Sequence, residues 1–201
     1  MYTVINLPQP SCTSPYSLEE CIKKRSSVRE YSRTPLTLYE VSRLLWAAQG
    51  IASEKTLRRT APSAGATYPL SLYIATGKIE RLESGVYRYQ TQNHSLIKTF
   101  EGDIRQDLSE AALGQEWILS APMNIVITGN YQRTTMRYGK RGIRYVWIEV
   151  GHVGENIYLQ CESMGLGTVA VGAFHDAMVK EALHLPTHEE PLYIMPVGRK
   201  K

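Results

Sequence analysis

The chain has 201 residues, 43% hydrophobic and 21% charged, with a formal net charge of +4. That suffices for one sizeable core, and the basic excess is too small and diffuse to imply nucleic acid. Three cysteines without a CxxC pair (Cys12, Cys21, Cys161) argue against a disulfide scaffold or zinc site and suit a reducing compartment. Residues 1–16 lack a signal-peptide pattern and no apolar run is long enough to span a bilayer, so a cytoplasmic protein is expected.

In chain order, residues 1–16 carry Pro8, Pro10 and Pro15 and read as an extended arm preceding a single domain over 17–201. Ser17-Leu18-Glu19-Glu20 and Thr37-Leu38-Tyr39-Glu40 are capping boxes, each opening a helix, the second stopped by Gly50. Residues 53–69 have the small, proline-punctuated composition of a loop. Strands are expected at Leu70–Thr76, Gly85–Tyr89 and Ser95–Phe100, and a helix capped by Asp103 should run to about Leu113. Met123–Thr128 reads as a buried strand. A long helix over 143–164 carries the stripe Val146, Val150, Val153, Ile157, Cys161, flanked by Ile143, Trp147, Gly151, Gly154 and Tyr158. Its apolar surface is wider than one domain face needs. A strand at Gly167–Phe174, a helix at His175–Leu183 and a strand at Pro191–Val197 complete an α+β pattern, and no GxGxxG follows a strand.

Three segments have the chemistry of a ligand site. Arg25, Ser26, Ser27 and Arg29 offer forked cations and neutral donors that suit a phosphate. Read alone, they more readily describe a solvated turn with two surface arginines. Pro62, Ser63, Ala64 and Gly65 would let backbone approach a flat ligand, or form a tight surface turn. Val171, Gly172 and Ala173 could present a backbone N–H without an obstructing side chain, or form a bulge in a buried strand. Arg199 and its neighbours add cations at the C-terminus, where a solubilising tail is the alternative. The five histidines show no metal-ligand spacing, and no serine sits in a GxSxG context.

The order of these segments resembles the nitroreductase family, most closely its SagB-type dehydrogenase branch. The residues that carry the resemblance are Arg25–Tyr31, Leu44–Gly50, Thr60–Gly65, Gly85–Tyr89, Ala112–Gln115, Glu149–His152, Gly165–Thr168, Val171–Phe174 and Pro196–Gly198. The resemblance implies a nitroreductase fold: a mixed or antiparallel sheet flanked by helices, in a homodimer that holds FMN at its interface. It implies cofactor contacts from Arg25, Ser26, Ser27, Arg29, Gln115, Val171, Gly172, Ala173 and Arg199, with Pro62, Ser63, Ala64 and Gly65 reaching in from the partner subunit. The function implied is hydride transfer through flavin N5, from NADH or NADPH to a small-molecule acceptor such as a nitro compound or quinone. The alternatives are a peptide azoline dehydrogenase and a non-catalytic flavin-binding protein. No side-chain acid or base is required, although Tyr138 is a candidate to act on a substrate. Azoline-oxidising members resemble one another in a Lys-Tyr pair where this chain has Arg137-Tyr138, and arginine is a poor proton acceptor. The chain ends at Lys201, before the arm with which longer family members cross to the partner. No metal, nucleic acid or membrane partner is expected.

Overall fold

The computed structural model describes residues 3–53 and 55–201. The first two residues of the expected arm, and Glu54 of the expected 53–69 loop, lie outside the described residues. Among the described residues, seven strands form an antiparallel sheet in the order β1-β6-β5-β4-β7-β9-β8. These strands are β1 (Val4–Asn6), β4 (Leu70–Thr76), β5 (Gly85–Gln90), β6 (Ser95–Glu101), β7 (Met123–Gly129), β8 (Leu166–Thr168) and β9 (Glu190–Arg199). A separate hairpin pairs β2 (Ile51–Ser53) with β3 (Arg58–Arg59).

The sheet is covered on both faces, so its central strands are buried along nearly their whole length rather than on alternate residues. Every residue of β7 is buried. Leu72, Ile74, Ile125 and Ile127 face α2 (Leu38–Gln49) and α6 (Arg141–Ser163), meeting Leu44, Leu45, Val146, Val150 and Ile157. On the other face Tyr73, Val126 and Ile194 meet side chains of α3 (Arg105–Ala111), α4 (Glu116–Ser120) and α7 (Asp176–Ala182). Complete burial of one such Ile or Leu contributes about 1.5–3 kcal/mol.

Both capping boxes form, opening α1 (Leu18–Lys24) at Ser17 and α2 at Thr37. The structure also departs from the sequence reading. The N-terminal arm is not free-standing: residues 4–6 pair with β6 at the sheet edge. Part of the expected loop over 53–69 belongs to the β2–β3 hairpin, and Ala64–Ala66 forms a turn of 3-10 helix. Ile104, not Asp103, is the N-cap of α3, although the Asp103 carboxylate accepts from the Arg105 N–H at 3.1 Å. The expected strand at 167–174 is shorter, because only Leu166–Thr168 pairs continuously and Val171 contributes one isolated bridge to Ile194. Residues 132–138 form a further helix, α5 (Gln132–Tyr138), ahead of α6.

Candidate active site

Two groups of side chains occupy the regions singled out in the sequence. The first gathers where α1 ends. The chain turns out of the helix at Arg25 and runs beside β8, with the Val28 N–H donating to the Thr168 carbonyl at 2.9 Å. This approach explains Gly167, where a Cβ would lie 2.7 Å from the Val28 side chain. Tyr158 of α6 ties the segment to the next loop: its hydroxyl lies 3.1 Å from Ser27 Oγ and accepts from the Ala170 N–H at 2.8 Å. Arg25 rests 5.2 Å from the Tyr158 ring centroid and Arg29 5.4 Å from that of Trp117, both within cation–π range. Gln115 donates to the Ala173 carbonyl at 3.0 Å, bringing the 171–173 turn to the same place.

This group is rich in unsatisfied donors. Among the described residues neither Arg25 nor Arg29 has a carboxylate partner. Gly172 and Ala173 are exposed, and their N–H groups donate to nothing among the described residues. The Thr168 hydroxyl and the Trp117 indole N–H are buried without partners. Buried polar atoms are usually paired, so orphans clustered beside two free arginines mark a place for a ligand. Ser26 is exposed and makes no side-chain hydrogen bond among the described residues. Arg199 is engaged elsewhere: its guanidinium pairs with Glu40 of α2 at 2.9 Å, and the adjacent Lys200 pairs with Glu162 at 2.6 Å.

The second group surrounds the 62–68 loop. Gly65 and the non-glycine residues Ala66 and Tyr68 all have positive φ, at 57°, 53° and 44°. Each non-glycine residue held so costs about 1–2 kcal/mol, and the surroundings offset this. Ser63 Oγ accepts from the Tyr68 N–H at 2.9 Å, Arg137 donates to the Gly65 carbonyl at 3.0 Å, and Thr67 and Thr134 share a hydrogen bond of 2.9 Å. A Cβ on Gly65 would overlap the Tyr138 hydroxyl. Behind the loop lies Glu149, 2% exposed. Burial pushes its carboxyl above the usual range, opposed by the neighbouring Ser63 and Gln49 side chains and by Arg59 and Arg133.

Tyr158, Trp117, Thr168 and Glu149 were not singled out as site residues from the sequence. Tyr158 left one signal there, a polar-tipped aromatic one turn beyond Gly154 beside an apolar stripe. Trp117, Thr168 and Glu149 are recognisable only by their neighbours in space. No hydrogen bond or ring contact links the two groups within one chain, among the described residues. Between them α5 and α6 expose Met136, Ile143, Trp147 and Ile148, with Met136 87% accessible. Among the described residues no cluster of acidic, His or Cys side chains could hold a metal, and no helix is long and apolar enough to cross a membrane.

The nitroreductase family model matches residues 22–199, which takes in both groups. The chain belongs to the nitroreductase family. Within this family of oxidoreductases it is 49% identical over 183 residues to MJ1384 of Methanocaldococcus jannaschii, covering 91% of each chain. It is 29% identical over 196 residues to the trifolitoxin operon protein TfxC of Rhizobium leguminosarum bv. trifolii, covering 88% of this chain but only 54% of that one. A crystal structure from Ralstonia eutropha JMP134 superposes with a TM-score of 0.87 at 33% identity, over 98% of this chain and 90% of the other. The α+β nitroreductase fold expected from the sequence is therefore the fold of this protein.

Proposed function

We propose that this nitroreductase is an FMN-dependent enzyme of the cytoplasm, working as a homodimer and passing hydride from NADH or NADPH to a nitro, quinone or related acceptor. The observation that carries the reading is the open donor set around Tyr158: two arginines without carboxylate partners, Ser27, two free backbone N–H groups and the orphaned Thr168 hydroxyl. That set fits a phosphate ester joined to a flat, polar-edged ring.

Arg25 and Ser27 would hold the phosphate and ribityl chain, Arg29 and Gln115 the pyrimidine edge, and the Gly172 and Ala173 N–H groups the ring's central edge. Arg199 reaches a phosphate only by releasing Glu40, so it stands outside this primary set. When bound, FMN supplies the reversible hydride exchange that no side chain here can perform. The protein binds and orients, and places fixed positive charge where electron density collects on reduction. Pro62 to Gly65 would cover the ring of the partner's flavin. The exposed Ile143, Trp147 and Ile148 would form the contact that delivers them. An azoline dehydrogenase is disfavoured, because Arg137 is a permanent cation already spent on the Gly65 carbonyl.

The test is the absorbance spectrum of the purified protein, identification of the released flavin, and NADH or NADPH oxidation with and without an acceptor. A yellow protein releasing FMN, with acceptor-dependent donor oxidation, is expected. A protein that takes up no FMN, or whose flavin no nicotinamide reduces, would overturn the proposal.

A further inference from the structure

A second cleft, of about 210 Å³, opens between the end of α2, β3, β4, β5 and the start of α5. Three arginines from three different elements line it: Arg59 of β3, Arg88 of β5 and Arg133 of α5. Their walls are completed by neutral polar groups, among them Gln49, Ser71 and Gln90. Apolar side chains contribute little.

Arg88 is committed to Glu189 at 3.1 Å and to Ser71 at 3.2 Å. Arg59 donates to Gln49 Oε1 at 2.7 Å and lies 4.5 Å from the Tyr68 ring centroid, with no ion pair among the described residues. Arg133 has neither an ion pair nor a side-chain hydrogen bond among the described residues. Gln49 is 1% exposed; its amide oxygen accepts from Arg59 and its side chain neighbours the Glu149 carboxyl. Arg59 and Arg133 are close enough to repel: burial, then the charge of Arg133, holds the Arg59 guanidinium below its ordinary pKa. Glu149 is the nearby counter-charge and offsets part of the lowering at Arg59, but one carboxyl, its own pKa raised by burial, stands against two guanidinium groups. Like charges are not gathered in a polar cleft without some compensation, and an oxyanion accepting from Arg59 and Arg133 would relieve the repulsion.

We infer that this cleft is a binding site for a phosphate-type oxyanion, distinct from the donor set around Tyr158 and gripped by Arg59 and Arg133. Arginine forks suit two oxygens of one tetrahedral anion, and the cleft has room for such a group. The site borders the catalytic region through Arg59 on Tyr68 and through α5, which carries Arg133 and Arg137 on successive turns. The anion could be free phosphate or the phosphate of a larger molecule, including the one that distinguishes NADPH from NADH.

The experiment is thermal unfolding of the FMN-saturated protein, titrated with sodium phosphate against sodium chloride at matched ionic strength. It reads melting temperature rather than turnover, so its outcome is separate from that of the redox assay. Arg133 is exposed, so Arg133→Gln should fold. Arg141→Gln removes the same charge from the distant start of α6. Phosphate should raise the wild-type melting temperature saturably, with affinity roughly tenfold or more weaker in Arg133→Gln and unchanged in Arg141→Gln. No saturable rise, or one that Arg133→Gln retains in full, would overturn the inference. NADP+ and NAD+ then separate the sources. Extra protection by NADP+ that Arg133→Gln abolishes assigns the dinucleotide's phosphate, whereas equal protection by both with phosphate still effective assigns free phosphate or another ester.

Discussion

The segment at 25–29 and the loop at 62–68 are both dense in hydrogen-bonding groups, yet they use them in opposite ways. Around Tyr158 the donors stay open: Arg25 and Arg29 lean on aromatic rings instead of carboxylates, and the 172–173 N–H groups face outward. Around Gly65 the groups satisfy one another, and left-handed backbone is pinned by Ser63, Arg137 and Thr134. The first region leaves its donors open to a ligand. The 62–68 loop of the second is held by its own hydrogen bonds, and so can serve as a rigid surface.

Substitutions in the two regions should therefore fail differently. The largest effect is expected from Arg25→Ala combined with Arg29→Ala. Losing two charge-assisted contacts of about 1.5–3 kcal/mol each should weaken FMN binding more than a hundredfold, read by flavin fluorescence, with the apoprotein's melting temperature nearly unchanged. Next comes Ile148→Asp, which places a charge on the exposed apolar face of α6. Sedimentation should show monomers, and flavin affinity should fall at least tenfold with unchanged circular dichroism; a variant that still dimerises would uncouple the two regions. Gly65→Ala should instead damage the fold locally. With φ at 57° and the Tyr138 hydroxyl in the way, a loss of about 1–3 kcal/mol is expected in chemical denaturation.

The smallest effect concerns Glu149. Its folded pKa is raised by burial, so its contribution to stability is complete below the unfolded pKa and is lost as pH rises through the folded one. Glu149→Gln should therefore melt higher than wild type at pH 8, with the advantage gone by pH 4. A pH-independent difference would mean that packing, not ionisation, decides its role.

Much of the architecture was legible in the sequence because it rests on local rules. Ser17 and Thr37 announce their helices through side-chain caps, and β4 and β7 are announced by short runs rich in β-branched and other apolar residues. The misread places are those where long-range contact decides. Residues 169–174 have strand composition, but Tyr158 takes the Ala170 N–H and turns the chain out of the sheet after Thr168. Arg199 looks in sequence like Arg25, and only Glu40, 159 positions away, separates their roles. The sequence pointed to the segments that supply the open donors, but not to Tyr158 and Trp117, which hold the arginines in place.

The short strand β1 has a consequence for handling the protein. It covers the outer edge of β6, and the arm behind it is secured where Ser42 and His94 both meet the Pro8 carbonyl. Burial lowers the His94 pKa, so stability lent by this neutral ring is lost as pH falls from the unfolded value of 6.5 through the folded one. Trimming the first eight residues would bare a row of unpaired backbone groups along β6. Such an edge recruits strands from other molecules, so the N-terminal arm acts as a guard against self-aggregation.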